Sequence, residues 1–504
     1  MRKILFIIPF FLWTCNESKS SPTDSSEVIP SFNVIVSNIE NNSTVSGQLT
    51  LNISSSTNNP LSKVEFYLND QLIGIIEENP FTFIWDTTFN VDGVYSLQVK
   101  GFDSMNNNHI LTLSINIDNN FDGTFQKTIP FSASGYVQAY SALENEYGGY
   151  TIIGKGSLLG VSSNNDILFV KADIKGDLEN FNIHNLNGVD TPRDIIRSND
   201  NGYIIVGQTY TGSDQHADAF MMKTDTDGQM LWYKTYDSSG QGGGGYDVAL
   251  TVHNQGTSGY LVGAGWGGKR YLSILRTSST GNMTSWNYFG DGTDMGTAYA
   301  QTLREENYSP MIQRVSTGGY IMAGYRYVQD ESTYLIHLIK LDNSGQNIEW
   351  NNTYGNGSPG WMGKVIIESN DNGFIVGGFQ GTSQVNKGDL VILKVNSSGQ
   401  QIWLNKYDGN GSINSIDHTN DGGYILTGYT DTTSNGNLDI YLLKIDSEGN
   451  QMWSKKFGGD YNDAGLSVKT VSDGGYLISG YYGTSENTSE IYLIKTDING
   501  NVNQ

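Results

Sequence analysis

One cysteine, Cys15, stands in 504 residues. No intramolecular disulfide can form, and no cysteine cluster can hold a metal. Proline is scarce at 9 residues, and charged residues make up only 16% of the chain, with 29 basic against 52 acidic. The net charge of −23 repels phosphate backbones and so excludes nucleic acid as an expected partner. No apolar run is long enough for a permanent membrane helix, and no stretch keeps a helical period. The six histidines share no metal-site spacing, and no G-x-S-x-G elbow occurs. The densest glycine run, GQGGGGY at 240–246, lacks the Lys-Ser/Thr and helix of a phosphate loop. Neither a cofactor nor a metal site is therefore expected. In place of these features stand 61 glycines, 30 tyrosines and abundant Asn, Ser and Thr, the composition of short strands joined by tight turns. A chain of this length implies two or more domains.

The start, MRKILFIIPFFLWTC, has two basic residues, an apolar run from Ile4 to Trp13, and then Cys15. It reads as a secretory signal over 1–14. The lone cysteine after the apolar run resembles the lipobox of bacterial lipoproteins, which implies lipidation at Cys15. Leu12 fits that pattern, whereas Trp13 and Thr14 depart from it, small residues being usual there. The alternative is an ordinary signal with an incidental cysteine. Residues 15–29 are polar, contain Ser and Pro, and read as a tether.

From 30 to 119, apolar and polar residues alternate in short runs such as FNVIVSNI, KVEFYLND and FTFIWDTT, separated by Asn, Gly, Pro and Asp. So many strands in so short a span predict an antiparallel sandwich. Val64-Glu65-Phe66-Tyr67, the stretch Pro80 to Thr87 around Trp85, and Asp92-Gly93 resemble bacterial Ig-like domains of secreted and surface proteins. The resemblance implies a spacer or presenting module, with Trp85 in its core.

Beyond residue 120 the sequence repeats. A Gly-aromatic pair opens an apolar strand at Tyr150, Tyr203, Tyr260, Tyr320, Phe374, Tyr424 and Tyr476. A cation follows at Lys171, Lys223, Arg276, Lys340, Lys394, Lys444 and Lys495, then Trp at 232, 286, 350, 403 and 453. Each of the seven copies holds four strand-like pieces, the signature of a β-propeller blade. The last copy ends before its Trp, while Phe125-Gln-Lys127-Thr-Ile129 aligns with Trp232-Tyr-Lys234-Thr-Tyr236. The expectation is an all-β chain: an Ig-like β-sandwich, then a closed seven-bladed β-propeller over 120–504, its last blade completed by strand 124–131. The repeat resembles the Gly-Tyr and Trp propeller repeats of secreted bacterial proteins, which implies a fold but no activity.

Most recurrent letters are expected to serve the fold. The cations should pair with local Asp, Lys444 being flanked by Asp439 and Asp446. Asp-x-x-Gly turns such as Asp446 to Gly449 are too short a part of a calcium loop and read as hairpins. Two loops per blade vary freely and share one face, the usual seat of binding. Their aromatic residues Tyr210, Tyr246, Trp266, Tyr325, Tyr327 and Trp361 are the candidate ligand contacts, with Trp266 and Trp361 foremost because they fall outside the repeat pattern. A Tyr directly after the second strand could equally pack between blades. The sequence thus points to a binding or scaffolding protein for glycan or protein, lipid-anchored at a bacterial outer membrane or cell surface, or otherwise secreted. The rival is a secreted glycoside hydrolase or polysaccharide lyase with carboxylates in the propeller pocket.

Overall fold

The structure, a computed structural model, describes residues 32–57, 60–131, 136–146, 148–157, 165–186, 188–210, 217–237, 247–266, 271–289, 312–328, 333–382, 387–431 and 437–503. Cys15 and Tyr246 lie outside them, as do the expected signal and tether and most of the variable loops. The fold is all-β, and no helix among the described residues is long and apolar enough to cross a membrane. The chain separates into two compact units, residues 1–88 with 93–119, and 89–92 with 120–504.

The first unit is built of two sheets. One orders Val34–Ser37, Gln48–Ser55 and Thr82–Asp86; the other has five strands with Gly93–Asp103 between Asn108–Ile117 and Leu61–Leu68. Strand alternation turns Val64, Phe66, Leu97, Val99 and Ile115 inward, each fully buried, against Leu51 and Trp85. Trp85 is core, and with no disulfide available this apolar burial is what holds the two sheets together.

The second unit holds seven groups of four antiparallel strands. Sheets 1 to 4 begin with Gln138–Glu144, Asp190–Arg197, Asp247–Asn254 and Ile312–Arg314. Sheets 5 and 6 are continuous, because Gln401–His418 closes one with its first half and opens the other with its second. Sheet 7 joins Ala464–Thr470, Tyr476–Ser485 and Thr488–Thr496 to Phe125–Ile129, from far upstream. Each first strand packs on the first strand of the next sheet, and that of sheet 7 on that of sheet 1. Successive sheets also share apolar cores: Phe169 with Tyr203 and Phe220, Ile375 and Ile392 with Leu426 and Leu443, and Leu477 and Leu493 with Ile152 and Leu168.

Two recurrent devices set the spacing of these sheets. First, among the described residues the opening strands of sheets 1, 2, 3, 5, 6 and 7 carry a one-residue bulge, at Tyr140, Arg193, Leu250, Lys364, Asn414 and Leu466. The bulge pushes a carbonyl against the second strand, where glycine stands in five of these sheets. A Cβ at Gly378, Gly428 or Gly480 would lie 1.9 Å from the carbonyl oxygen of Met362, Ser412 or Ala464. Second, the Asp-x-x-Gly turn of each sheet docks on the preceding one. Gly449, at φ +84°, sits against Trp403, while the Tyr407 hydroxyl donates 2.7 Å to the Gly449 carbonyl. Tyr236 with Gly281 and Tyr354 with Gly399 repeat this bond, and Phe125 meets Gly176 where Gly281, Gly399, Gly449 and Gly500 each meet a Trp.

Candidate functional site

The two ends of the second unit carry different sets of polar groups. At the end of the Asp-Gly-Gly and Asp-x-x-Gly turns, recurrent lysines are buried and ion-paired in sheets 2, 5, 6 and 7: Lys394 with Asp371 at 2.8 Å, Lys444 with Asp421 at 2.6 Å, Lys495 with Asp473 at 2.7 Å, and Lys223 with Asp200; the half-buried Lys171 of sheet 1 donates to the Tyr203 hydroxyl instead. Lys444 thus reaches the Asp-Gly-Gly turn rather than the flanking Asp439 or Asp446, because strand pairing lays that turn beside the third strand. Burial works against the Asp421 carboxylate, but hydrogen bonds from Lys444 and Thr419 outweigh it and hold its pKa below the usual range. Sheet 4 has Ser316-Thr317 in place of the Asp, and Lys340 turns to Glu349 at 3.0 Å. In the second turn, Asp446 accepts the N–H groups of Glu448 and Asn450 and the Asn450 side chain, and Asp497 and Asn396 act alike. These oxygens cap a hairpin.

At the opposite end, where the variable loops leave, carboxylates come in pairs. The N–H of Asp190, Asp247 and Asp463 donates to the carbonyl of Asn165, Ala217 and Leu438 respectively. That bond sets each beside the recurrent Asp166, Asp218 or Asp439. Around Gly458, a Cβ would lie 2.5 Å from Asp463 Oδ2 and 2.7 Å from Asp439 Oδ1. Burial pushes the Asp463 carboxyl up to about 6, against the N–H bonds it accepts from Gly459 and Gly483, and the Asp439 charge adds to the rise. In sheet 1, Asn185 donates 2.9 Å to Asp166. In sheet 2 the neighbouring residue is Asp237, and Asp218, Asp237 and Asp247 have carboxylate oxygens within 4.8 Å of one another. Sequence spacing names no metal ligand there, since these three come from separate strands and loops.

The aromatic candidates do not form one group among the described residues. Trp361 is 7% exposed; its indole N–H donates 2.9 Å to the Asn356 carbonyl, and its ring belongs to the core shared by sheets 4 and 5. Tyr325 is 4% exposed and packs with Val248, Leu250, Met362 and Phe379. Trp266 closes the second strand of sheet 3, Tyr327 lies in the second strand of sheet 4, and Tyr210 is half-buried just past the second strand of sheet 2. The burial of Tyr325 has a simple cause. It follows Gly324 in the second strand, as Phe379, Tyr429 and Tyr481 follow the bulge-facing glycines of sheets 5, 6 and 7, and all four are buried packing residues.

That same register position holds Lys155 in sheet 1 and Gln208 in sheet 2, and both are buried. Beside them the bulges present Tyr140 and Arg193. The Arg193 guanidinium lies 5.2 Å from the Tyr140 ring centroid and Lys155 Nζ lies 5.6 Å from it. Across the unit, Lys364 in the bulge of sheet 5 is 2% exposed and donates to Ser412 Oγ at 2.9 Å and Asn414 Oδ1 at 2.8 Å. Burial brings its pKa down to about 7. Sequence reasoning missed these polar residues. The available signal was the break in the Gly-aromatic pattern at Lys155 and Gln208.

Residues 33–99 match the family described as bacterial Ig domain. No curated protein matches the chain. Among solved structures, it is similar to the WD40 domain of Pan2 from Neurospora crassa, with 10% identity, 72% of this chain and 89% of that one covered, and a TM-score of 0.43. An endo-arabinase from Bacteroides thetaiotaomicron shares 11% identity over 73% of this chain and 96% of its own, at a TM-score of 0.32. An endo-β-1,4-mannanase from Thermotoga petrophila is 14% identical over 19% of this chain, with a TM-score of 0.16, and the match spans only 21% of its length. These likenesses are too distant to transfer a function.

Proposed function

We propose that the chain is a bacterial surface protein, lipid-anchored at Cys15, in which a tether (15–29) and an Ig-like spacer (30–119) carry a closed seven-bladed propeller (120–504) that binds a glycan or protein ligand. The observation that carries this reading is the contrast between the ends of the sheets. At the turn end the recurrent carboxylates and cations satisfy one another, as in Lys444 with Asp421. At the loop end the sequence is free to vary, and buried polar residues replace the packing aromatics in sheets 1 and 2. Variable loops on a rigid frame are where binding sites arise. The Ig-like match over 33–99 agrees with extracellular display. Glycan arrays and pull-downs with the purified chain test it. Specific capture supports the proposal, and blank results in both defeat it.

A second reading, hydrolysis or lysis of a glycan, is favoured by the buried Asp439–Asp463 pair, whose Asp463 carboxyl is raised to about 6 and could hold a proton for transfer. Against it, the same pairing recurs at Asp166 with Asp190 and Asp218 with Asp247, so it belongs to the repeat. Release of reducing ends from a polysaccharide panel, abolished by Asp463→Asn, would favour catalysis.

A further inference from the structure

Arg193 is an anomaly in this molecule. It is 6% exposed, and its Nε and Nη1 have no hydrogen-bond partner, while Nη2 reaches Gln208 Oε1 only at 3.5 Å. A guanidinium cannot shed its proton, and a buried charge without a counter-ion is costly. The adjacent carboxylate gives no relief, since Asp194 is turned toward sheet 3, where it accepts from Val252 N–H at 3.0 Å and Thr251 Oγ1 at 3.1 Å. Yet every other group needed to hold a ligand is at hand. Lys155 adds a second cation on the same aromatic ring. Gln208 offers an amide beside the guanidinium, and Gln138 accepts the Tyr140 hydroxyl at 3.2 Å. Tyr140 continues into a cluster with Tyr429 and Tyr481. Arg193 sits near the start of its strand and Gln208 near the end of its own, with Thr191 opposite Gln208, so the group lies at the variable-loop end.

We infer that Arg193, with Lys155, Tyr140 and Gln208, forms a subsite for the carboxylate of an acidic saccharide. The assignment rests on the binding reading above and names its ligand class. A carboxylate gives the open edges of the guanidinium the charge-assisted hydrogen bonds they lack. It displaces only a cation–π contact with Tyr140, which is the weaker interaction. The Gln208 amide suits a ring hydroxyl, while Tyr140, packed with Tyr429 and Tyr481, fixes the floor of the subsite.

The test is calorimetric titration and thermal melting of the purified full chain with oligogalacturonate, oligogalactose, acetate and sulfate. Oligogalacturonate should bind and raise the melting temperature, while the neutral oligomer should do neither. Arg193→Gln should weaken binding at least tenfold yet melt no lower than wild type without ligand, because it removes an uncompensated charge. Lys155→Met should weaken binding severalfold. Undiminished binding by Arg193→Gln overturns the assignment, as does a ligand-free melting temperature below that of wild type, which would show a structural role. Equal protection by acetate and sulfate overturns the saccharide class. Glycan capture that survives Arg193→Gln defeats this subsite alone, whereas blank arrays and pull-downs defeat the wider binding reading.

Discussion

Phe125 and Lys495 face each other as a cross-strand pair, and their neighbours Gln126 and Tyr492, 366 residues apart, are joined by a side-chain hydrogen bond. Phe125 also meets Tyr150 edge-on at 5.6 Å and fills the contact with Gly176. One residue thus ties sheet 7 to sheet 1. Phe125→Ala should cost about 3 kcal/mol in urea unfolding, the scale of a large aromatic truncation in a core. A loss below about 1 kcal/mol would show that this junction contributes little.

The docking of turn on preceding sheet gives a smaller expectation. Tyr407→Phe keeps the ring and removes only the 2.7 Å bond to the Gly449 carbonyl. A loss of about 1 kcal/mol is expected, measured by denaturant midpoint. A change of 3 kcal/mol would mean that the hydroxyl does more than latch the turn.

Gly428 tests the bulge. It has no need of positive φ, but an alanine methyl would fall 1.9 Å from the Ser412 carbonyl oxygen. Gly428→Ala should therefore lower the melting temperature sharply, beyond the effect of an ordinary surface substitution. Gly47→Ala is a useful contrast. Its φ of +69° is strained for alanine but nothing lies within 4 Å of the added methyl, so a milder loss is expected.

The Asp463 carboxyl, raised to about 6, predicts a pH dependence of definite sign. Between pH 4 and pH 6 the native chain keeps a proton that the unfolded chain releases, so this residue's contribution to stability falls as pH rises through that window and then levels off. Carboxyl carbon titration by NMR should place its midpoint near 6. A midpoint near 4 would overturn the prediction.

Trp361→Ala should now destabilise the second unit by about 3 kcal/mol or more, because its ring is core and its N–H is satisfied. Retained stability with lost ligand binding would instead return Trp361 to the binding surface.

The repeat was legible because four strands recur with their anchors in register, and the N-terminal strand could be matched to Trp232-Tyr-Lys234 by pattern alone. The lysine partners were not, since Asp421 lies 23 positions before Lys444 and only strand pairing unites them. The burial of Trp361 and Tyr325 was hidden for a related reason. Composition marks an aromatic as large and amphipathic, but whether it packs or faces solvent is decided by strand register and by the neighbouring sheet. The bulge positions escaped notice because a bulge is a property of pairing. Only once Tyr140, Arg193, Leu250, Lys364, Asn414 and Leu466 are aligned through it does the odd charge at Arg193 stand out.

The pairing of Phe125–Ile129 with Thr488–Thr496 also has a consequence in time. Phe125–Ile129 leaves the ribosome before its partner, which at ordinary rates of synthesis follows roughly 20 to 70 seconds later. Throughout that interval it is an unpaired edge strand, the kind of surface that invites mispairing with another chain. This pairing must wait until Thr488–Thr496 has been made, so a product cut short before it is marked by an edge strand left without its partner.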